Sequence, residues 1–130
     1  MNTLQILLGS NWKQEKHMAE ARERLKRAFH QDILFSENLK NAAMDLEGLE
    51  KVGAVAYLNA IGKAHTELPL EKVQLLLKEI ETEMGRKRGL ESKGMVTIDL
   101  DLIEWNGVIL RPKDAAQMYY KDCLKSLIPE

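Results

Sequence analysis

The chain has 130 residues, 45% of them hydrophobic, one cysteine, and 19 basic against 20 acidic side chains for a net charge of -1. That length and apolar content fit one domain spanning residues 1–130, with core enough to stand without disulfide staples. The near-neutral balance excludes a global field that would draw the protein to nucleic acid or an anionic membrane, so any phosphate binding has to be local. A lone Cys123 cannot form an internal disulfide, no apolar run approaches the roughly 20 residues needed to cross a bilayer, and the first residues lack the basic segment of a secretory signal. A soluble cytoplasmic protein is expected, with its oligomeric state left open.

Residues 4–8 form a short apolar run that stops at Gly9-Ser10-Asn11, the pattern of a buried strand followed by a tight turn. Over residues 14–29, Met18, Ala21, Leu25 and Phe29 recur at helical spacing with charges between them, which predicts an amphipathic helix lying on a sheet. Residues 33–35 read as a weaker strand and the polar stretch 37–53 as loop. Residues 55–61 are strand-like, with Val55, Tyr57, Asn59 and Ile61 on one face and Ala56, Leu58 and Ala60 on the other.

A second helix is expected from Pro69, where a missing N–H costs nothing, through Val73, Leu76, Leu77, Ile80 and Met84 to a stop at Gly85. A basic loop, residues 86–94, follows. The strand 96–103 alternates cleanly, sending Val96, Ile98, Leu100 and Leu102 one way and Thr97, Asp99 and Asp101 the other. Asn106-Gly107 is a hairpin turn signal leading into residues 108–110, and Pro112 precedes a last helix over residues 114–127. The order strand, helix, strand, strand, helix, strand predicts an α+β, ferredoxin-like βαββαβ sandwich: an antiparallel sheet with helices on one face, plus a C-terminal hairpin and helix.

Residues two apart on a strand are separated by roughly 6.5 to 7 Å, so Asp99 and Asp101 can reach into one volume above the sheet. Magnesium takes one or two carboxylates and completes its shell with water and phosphate oxygens, which such a pair allows. Spacing alone leaves equally open a solvated strand face with two acids opposite basic partners. The run Arg86-Lys87-Arg88, with Lys93 later in the same loop, offers forks that match phosphate oxygens, although such runs are more often solvated helix ends. His17, His30 and His65 lack metal spacing and read as surface or turn histidines. Cys123 and Tyr119-Tyr120 read as terminal-helix packing, and Trp12 and Trp105 as half-buried anchors.

Together, Leu76-Leu77-Lys78-Glu79-Ile80-Glu81, Gly85-Arg86-Lys87-Arg88 and Thr97-Ile98-Asp99-Leu100-Asp101-Leu102 resemble 6-hydroxymethyl-7,8-dihydropterin pyrophosphokinase, a folate-pathway family. Leu8-Gly9-Ser10-Asn11 is similar to the family's strand-one turn and Tyr57-Leu58-Asn59-Ala60 to its pterin-strand motif. The resemblance implies transfer of pyrophosphate from ATP to the hydroxymethyl group of a reduced pterin, with release of AMP. It implies two Mg2+ ions held by Asp99 and Asp101. It also implies nucleotide contacts from Glu81, Arg86, Arg88 and Thr97, catalytic charge from Arg86 and Arg88, and pterin contacts from Tyr57 and Asn59, whose amide can read a heterocycle's donor and acceptor edge.

The sequence departs from the family pattern in three places. Met95-Val96-Thr97 stands where the family has Pro-Arg-Thr, so a cation is missing at Val96. Residues 38–53 contain no proline, whereas the family has a paired-proline loop over the pterin. After Leu110, Arg111-Pro112-Lys113 replaces the Pro-His element and its following arginine. Three readings therefore stand side by side. The protein is an active pyrophosphokinase with Arg111, Lys113 or Lys93 supplying the missing charge, a relative that binds nucleotide or metal without turnover, or a ferredoxin-like interaction domain.

Overall fold

The computed structural model describes residues 1–41, 56–89 and 94–127, the side chains of Asn41 and Tyr119 excepted. Strand β1 (Asn2–Ser10) lies mid-sheet because its run from Leu4 to Ser10 is buried on both faces, as a near-continuous apolar strand requires. It pairs antiparallel with β4 (Tyr57–Thr66) on one side and β5 (Asp99–Trp105) on the other. Outside β4 lie β2 (Ile33–Phe35) and β3 (Leu39–Asn41), and outside β5 lies β6 (Val108–Ile109). The order β2-β4-β1-β5-β6, every pairing antiparallel, is that of the expected α+β sandwich.

Helices α1 (Gln14–Ala28) and α2 (Leu70–Glu83) cover one face. Met18, Ala21 and Leu25 of α1 and Val73, Leu77 and Ile80 of α2 close over Leu4, Ile6, Leu8, Leu58, Ala60, Leu100 and Leu102. Each fully buried leucine there contributes about 1.5 to 3 kcal/mol relative to exposure. The opposite face is only half covered. Short α3 (Pro112–Ala115) leads to α4 (Met118–Ser126), whose Tyr120 and Cys123 pack with Leu7, Ile61 and Ile103. The buried Tyr120 hydroxyl, pushed up to about 12 first by burial and then by Glu104, stays protonated and donates to Gln5 Oε1 at 2.6 Å.

Several boundaries differ from expectation, each for a local reason. β4 runs on to Thr66, since β1 supplies a partner for every residue from Leu58 to Thr66. The segment before β5 is held by Asn11, through both its side chain and its backbone, instead of by a strand. Val96 N–H donates to Asn11 Oδ1 at 2.6 Å, Asn11 N–H donates to Val96 O at 3.1 Å and Asn11 Nδ2 to Gly94 O at 3.1 Å, so strand pairing starts only at Asp99. The last helix is broken at Gln117, whose extended backbone separates α3 from α4. In the stretch read as loop, residues 39–41 form β3, while residues 42–55, including the expected strand start at Val55, lie outside the described residues, as do residues 90–93 with Lys93. His17, read as a surface histidine, is buried on α1 with Nδ1 2.7 Å from Trp12 O. The α1 stripe is one residue wider than its apolar letters, because a backbone carbonyl satisfies the ring nitrogen.

Candidate active site

The pleat that sends Leu8, Leu58 and Leu100 into the helical core sends their neighbours to the other face. Gly9 stands opposite Asn59 on β4 and opposite Asp99 on β5, so three strands contribute one row: Asn59, Gly9, Asp99. The next row is Ile61, Leu7, Asp101. A cavity of about 250 Å³ lies over these rows, lined by Leu7, Gly9, Tyr57, Asn59, Asp99 and Asp101, with Arg111 and Asp114 arriving from the chain beyond β6. Gly9 keeps it open, since a Cβ there would stand 3.2 Å from Asn59 Oδ1 and 3.6 Å from Tyr57 Cδ1. Asp99, Asp101, Tyr57 and Asn59, singled out in the sequence, therefore meet in one place. A second cavity of about 270 Å³ borders Gln74, Leu77, Lys78, Leu100, Leu102 and Leu110 and shares Asp101 and Arg111 with the first.

The electrostatics follow from two acids crowded together. The Asp101 side chain is 14% exposed. Burial first, then the Asp99 charge and a hydrogen bond with that carboxyl, push the Asp101 pKa up to about 6, against the opposing pull of Arg111 and Lys78. Those two cations stand 3.8 Å from its Oδ1. Burial, and next the Asp99 charge, also raise the Tyr57 phenol, with Arg86 acting the other way, so that hydroxyl is a neutral donor. Among the described residues no group of three or more His, Cys, Asp or Glu side chains is arranged to hold a metal. A two-carboxylate set whose second member resists ionisation fits a hard divalent cation, which would relieve that repulsion and take its other ligands from water or phosphate.

The basic residues are placed less uniformly. Arg86, held by its N–H to Glu81 O at 3.0 Å, donates from a terminal nitrogen to Ile98 O at 2.8 Å and approaches Asp99 Oδ1 at 3.4 Å. Its Nε is buried and has no partner among the described residues. Arg88, 60% exposed, reaches Glu81 Oε1 at 2.5 Å. Glu81 itself is 1% exposed. Its Oε2 accepts the Leu100 N–H at 2.7 Å and lies 3.3 Å from Lys78 Nζ, so the carboxylate joins α2 to β5 and anchors Arg88. Thr97 is buried and lines neither cavity. Trp105 packs against the helical core, on the other side of the sheet from the site.

Sequence reasoning missed three contributors. Asn11 was seen only as a turn residue, yet it clamps the segment that delivers Asp99. Lys78, given no role in the sequence reading, stands 3.3 Å from Glu81 Oε2 and 3.8 Å from Asp101 Oδ1, and its i, i+3 relation to Glu81 is the available signal. Asp114, at the expected start of the last helix, lines the cavity and accepts from Arg111 Nε at 2.6 Å.

A family model described as 7,8-dihydro-6-hydroxymethylpterin-pyrophosphokinase (HPPK) matches residues 5–129. The chain belongs to that family. HPPK enzymes are transferases of folate biosynthesis, kinases that in general use ATP and Mg2+, and the mixed α+β sheet described above is consistent with their fold. No curated protein shows significant similarity to the chain. No helix among the described residues is long and apolar enough to cross a membrane.

Proposed function

We propose that this HPPK chain, as one domain over residues 1–130, transfers the pyrophosphoryl group of Mg-ATP to 6-hydroxymethyl-7,8-dihydropterin. The hydroxymethyl oxygen attacks the β-phosphorus, the bond from that phosphorus to the α,β-bridging oxygen breaks, the hydroxyl proton is released, and AMP departs with the bridging oxygen. The observation that carries this reading is the row Asn59, Gly9, Asp99. It sets an amide able to read a pterin edge beside a carboxylate able to hold a cation, across one glycine.

The roles follow from position. Tyr57 and Asn59 bind the pterin over Gly9 in the 250 Å³ cavity, a volume suited to a bicyclic ring and too small for a whole nucleotide. The nucleotide extends beyond it toward the cavity that shares Asp101. Asp99 and Asp101 hold two Mg2+ ions, which when bound neutralise triphosphate charge. Arg86 and Arg88 supply charge along the phosphates and Glu81 fixes Arg88; Thr97, just before Asp99 on the same segment, stands with them on the nucleotide side. Little covalent chemistry is asked of the protein: positioning and charge supply the acceleration.

A second reading, nucleotide binding without turnover, is favoured by one observation, the uncharged Val96 where the family carries arginine. One assay separates the two. Incubation with ATP, Mg2+ and the reduced hydroxymethylpterin is expected to yield AMP and the pterin diphosphate in equal amounts. Binding of a non-hydrolysable ATP analogue with no AMP from ATP would establish the second reading instead.

A further inference from the structure

Resting on the proposed transfer, we infer that Arg111 is the cation facing the phosphates at the point of bond exchange, in the role left open at Val96, and that Asp114 is the residue that positions it. Arg111 and Asp101 are the two residues that line both cavities, so the guanidinium stands at the junction between the pterin side and the nucleotide side. The cavity over Gly9 is lined by three carboxylates, Asp99, Asp101 and Asp114, and by one cationic side chain, Arg111. A triphosphate brought there needs countercharge beyond the metal ions.

The other cations nearby stand away from this junction. Arg86, which donates to Ile98 O, and Arg88, paired with Glu81, line neither cavity and serve phosphates farther along the triphosphate, and Lys78 lines only the nucleotide-side cavity. Lys113 is exposed and lines neither cavity. Arg111 is held at both ends of its backbone. Leu110 N–H donates to Ile103 O at 2.8 Å, Ala115 N–H donates to Arg111 O at 3.0 Å, and Pro112 restricts the residue before it to extended conformations. Its Nε is bonded to Asp114 at 2.6 Å, whereas its NH1 stands 3.8 Å from Asp101, too far for a hydrogen bond. A guanidinium has five donors, so the fork keeps donors for phosphate oxygens while Asp114 fixes its stem. Once a cation occupies Asp101, Asp114 is what keeps Arg111 in place.

The test is steady-state kinetics on the full chain, with AMP release as readout, KM measured for each substrate and a thermal melt for every variant. Arg111→Met is expected to lower kcat about 100-fold with both KM values within a few-fold and Tm unchanged, as loss of one preorganised donor does. Arg111→Lys keeps charge without the fork and falls between. Arg111→Ala is expected to regain part of its turnover on addition of ethylguanidinium, which a merely structural role would not allow. Asp114→Asn is expected to lower kcat about tenfold, Asp114→Glu less, and Lys113→Met not at all; the tenfold step corresponds to about 1.4 kcal/mol. An active wild type whose Arg111→Met variant keeps kcat within threefold overturns the Arg111 role and leaves the transfer reading intact. A loss that tracks a lowered Tm in every Arg111 variant and is not rescued overturns it equally. Unchanged kcat in Asp114→Asn overturns the positioning role. A wild type that releases no AMP overturns the transfer reading and this inference together.

Discussion

The two faces of the sheet are built from the same strands and meet opposite ends. Toward α1 and α2 strands β1, β2, β4 and β5 offer leucine, isoleucine or alanine, which the helices bury. On the other face Leu7, Ile61 and Ile103 pack with α4, and beside them Asn59, Gly9, Asp99 and Asp101 line the cavity. Both rows are read from one alternation, so Leu8 and Gly9, adjacent in sequence, belong to opposite economies: one is wholly buried and fills space, the other preserves it. The lesson is that a two-residue period can make core and site from one strand.

The largest effect that would sharpen this contrast is on the sealed face. Leu25→Ala on α1 removes a fully buried side chain, and a cost of about 2 to 5 kcal/mol is expected in denaturant unfolding, with kcat of the surviving fold unchanged. Next comes Glu81→Ala, which leaves the Leu100 N–H unpaired at the α2–β5 junction. About 1 to 3 kcal/mol of stability is expected to be lost, together with the anchor of Arg88.

The open face answers differently. Gly9→Ala puts a Cβ 3.2 Å from Asn59 Oδ1. The expected result is a KM for the pterin raised about tenfold, or roughly 1.4 kcal/mol, with little change in KM for ATP or in Tm. Equal losses for both substrates would blur the division of the cavity.

The smallest effect is one of pH. Asp101 is raised to about 6 in the fold from an ordinary 3.8, so the protonated form is favoured in the native state. Its contribution is fully present below the unfolded pKa and is lost as pH rises through about 6. The melting temperature of the metal-free protein is therefore expected to fall between pH 4 and pH 7 through this group, and Asp101→Asn to flatten that slope. An identical slope in the variant would assign the titration to other groups.

The sequence carried most of the frame and about half of the site. Helical periodicity located α1 and α2 because their stripes face a continuous sheet, and alternation located β5 because its two faces differ so sharply in polarity. The carboxylate pair and the Tyr57, Asn59 pair were legible for the same reason. What alternation cannot show is which strands are neighbours, and the row Asn59, Gly9, Asp99 exists only through register across β4, β1 and β5. Asn11 was opaque because its side chain takes the place of a strand partner for Val96. The break at Gln117 was opaque because no proline or glycine marks it, and it is what lets α3 hold Arg111 while α4 turns to pack on Ile61 and Ile103.

The contrast between a sealed face that confers stability and an open face that confers chemistry is tested most directly by Asp101→Asn at pH 7, followed in AMP release and in thermal melting on the same sample. AMP release is expected to fall by roughly 10³-fold or more, as loss of a metal-holding charge in a preorganised site does. The melting temperature is expected to hold or rise, because a crowded buried carboxylate has been removed. AMP release within tenfold of wild type, or a melting temperature lowered by several degrees, would contradict the assignment of this face to the chemistry.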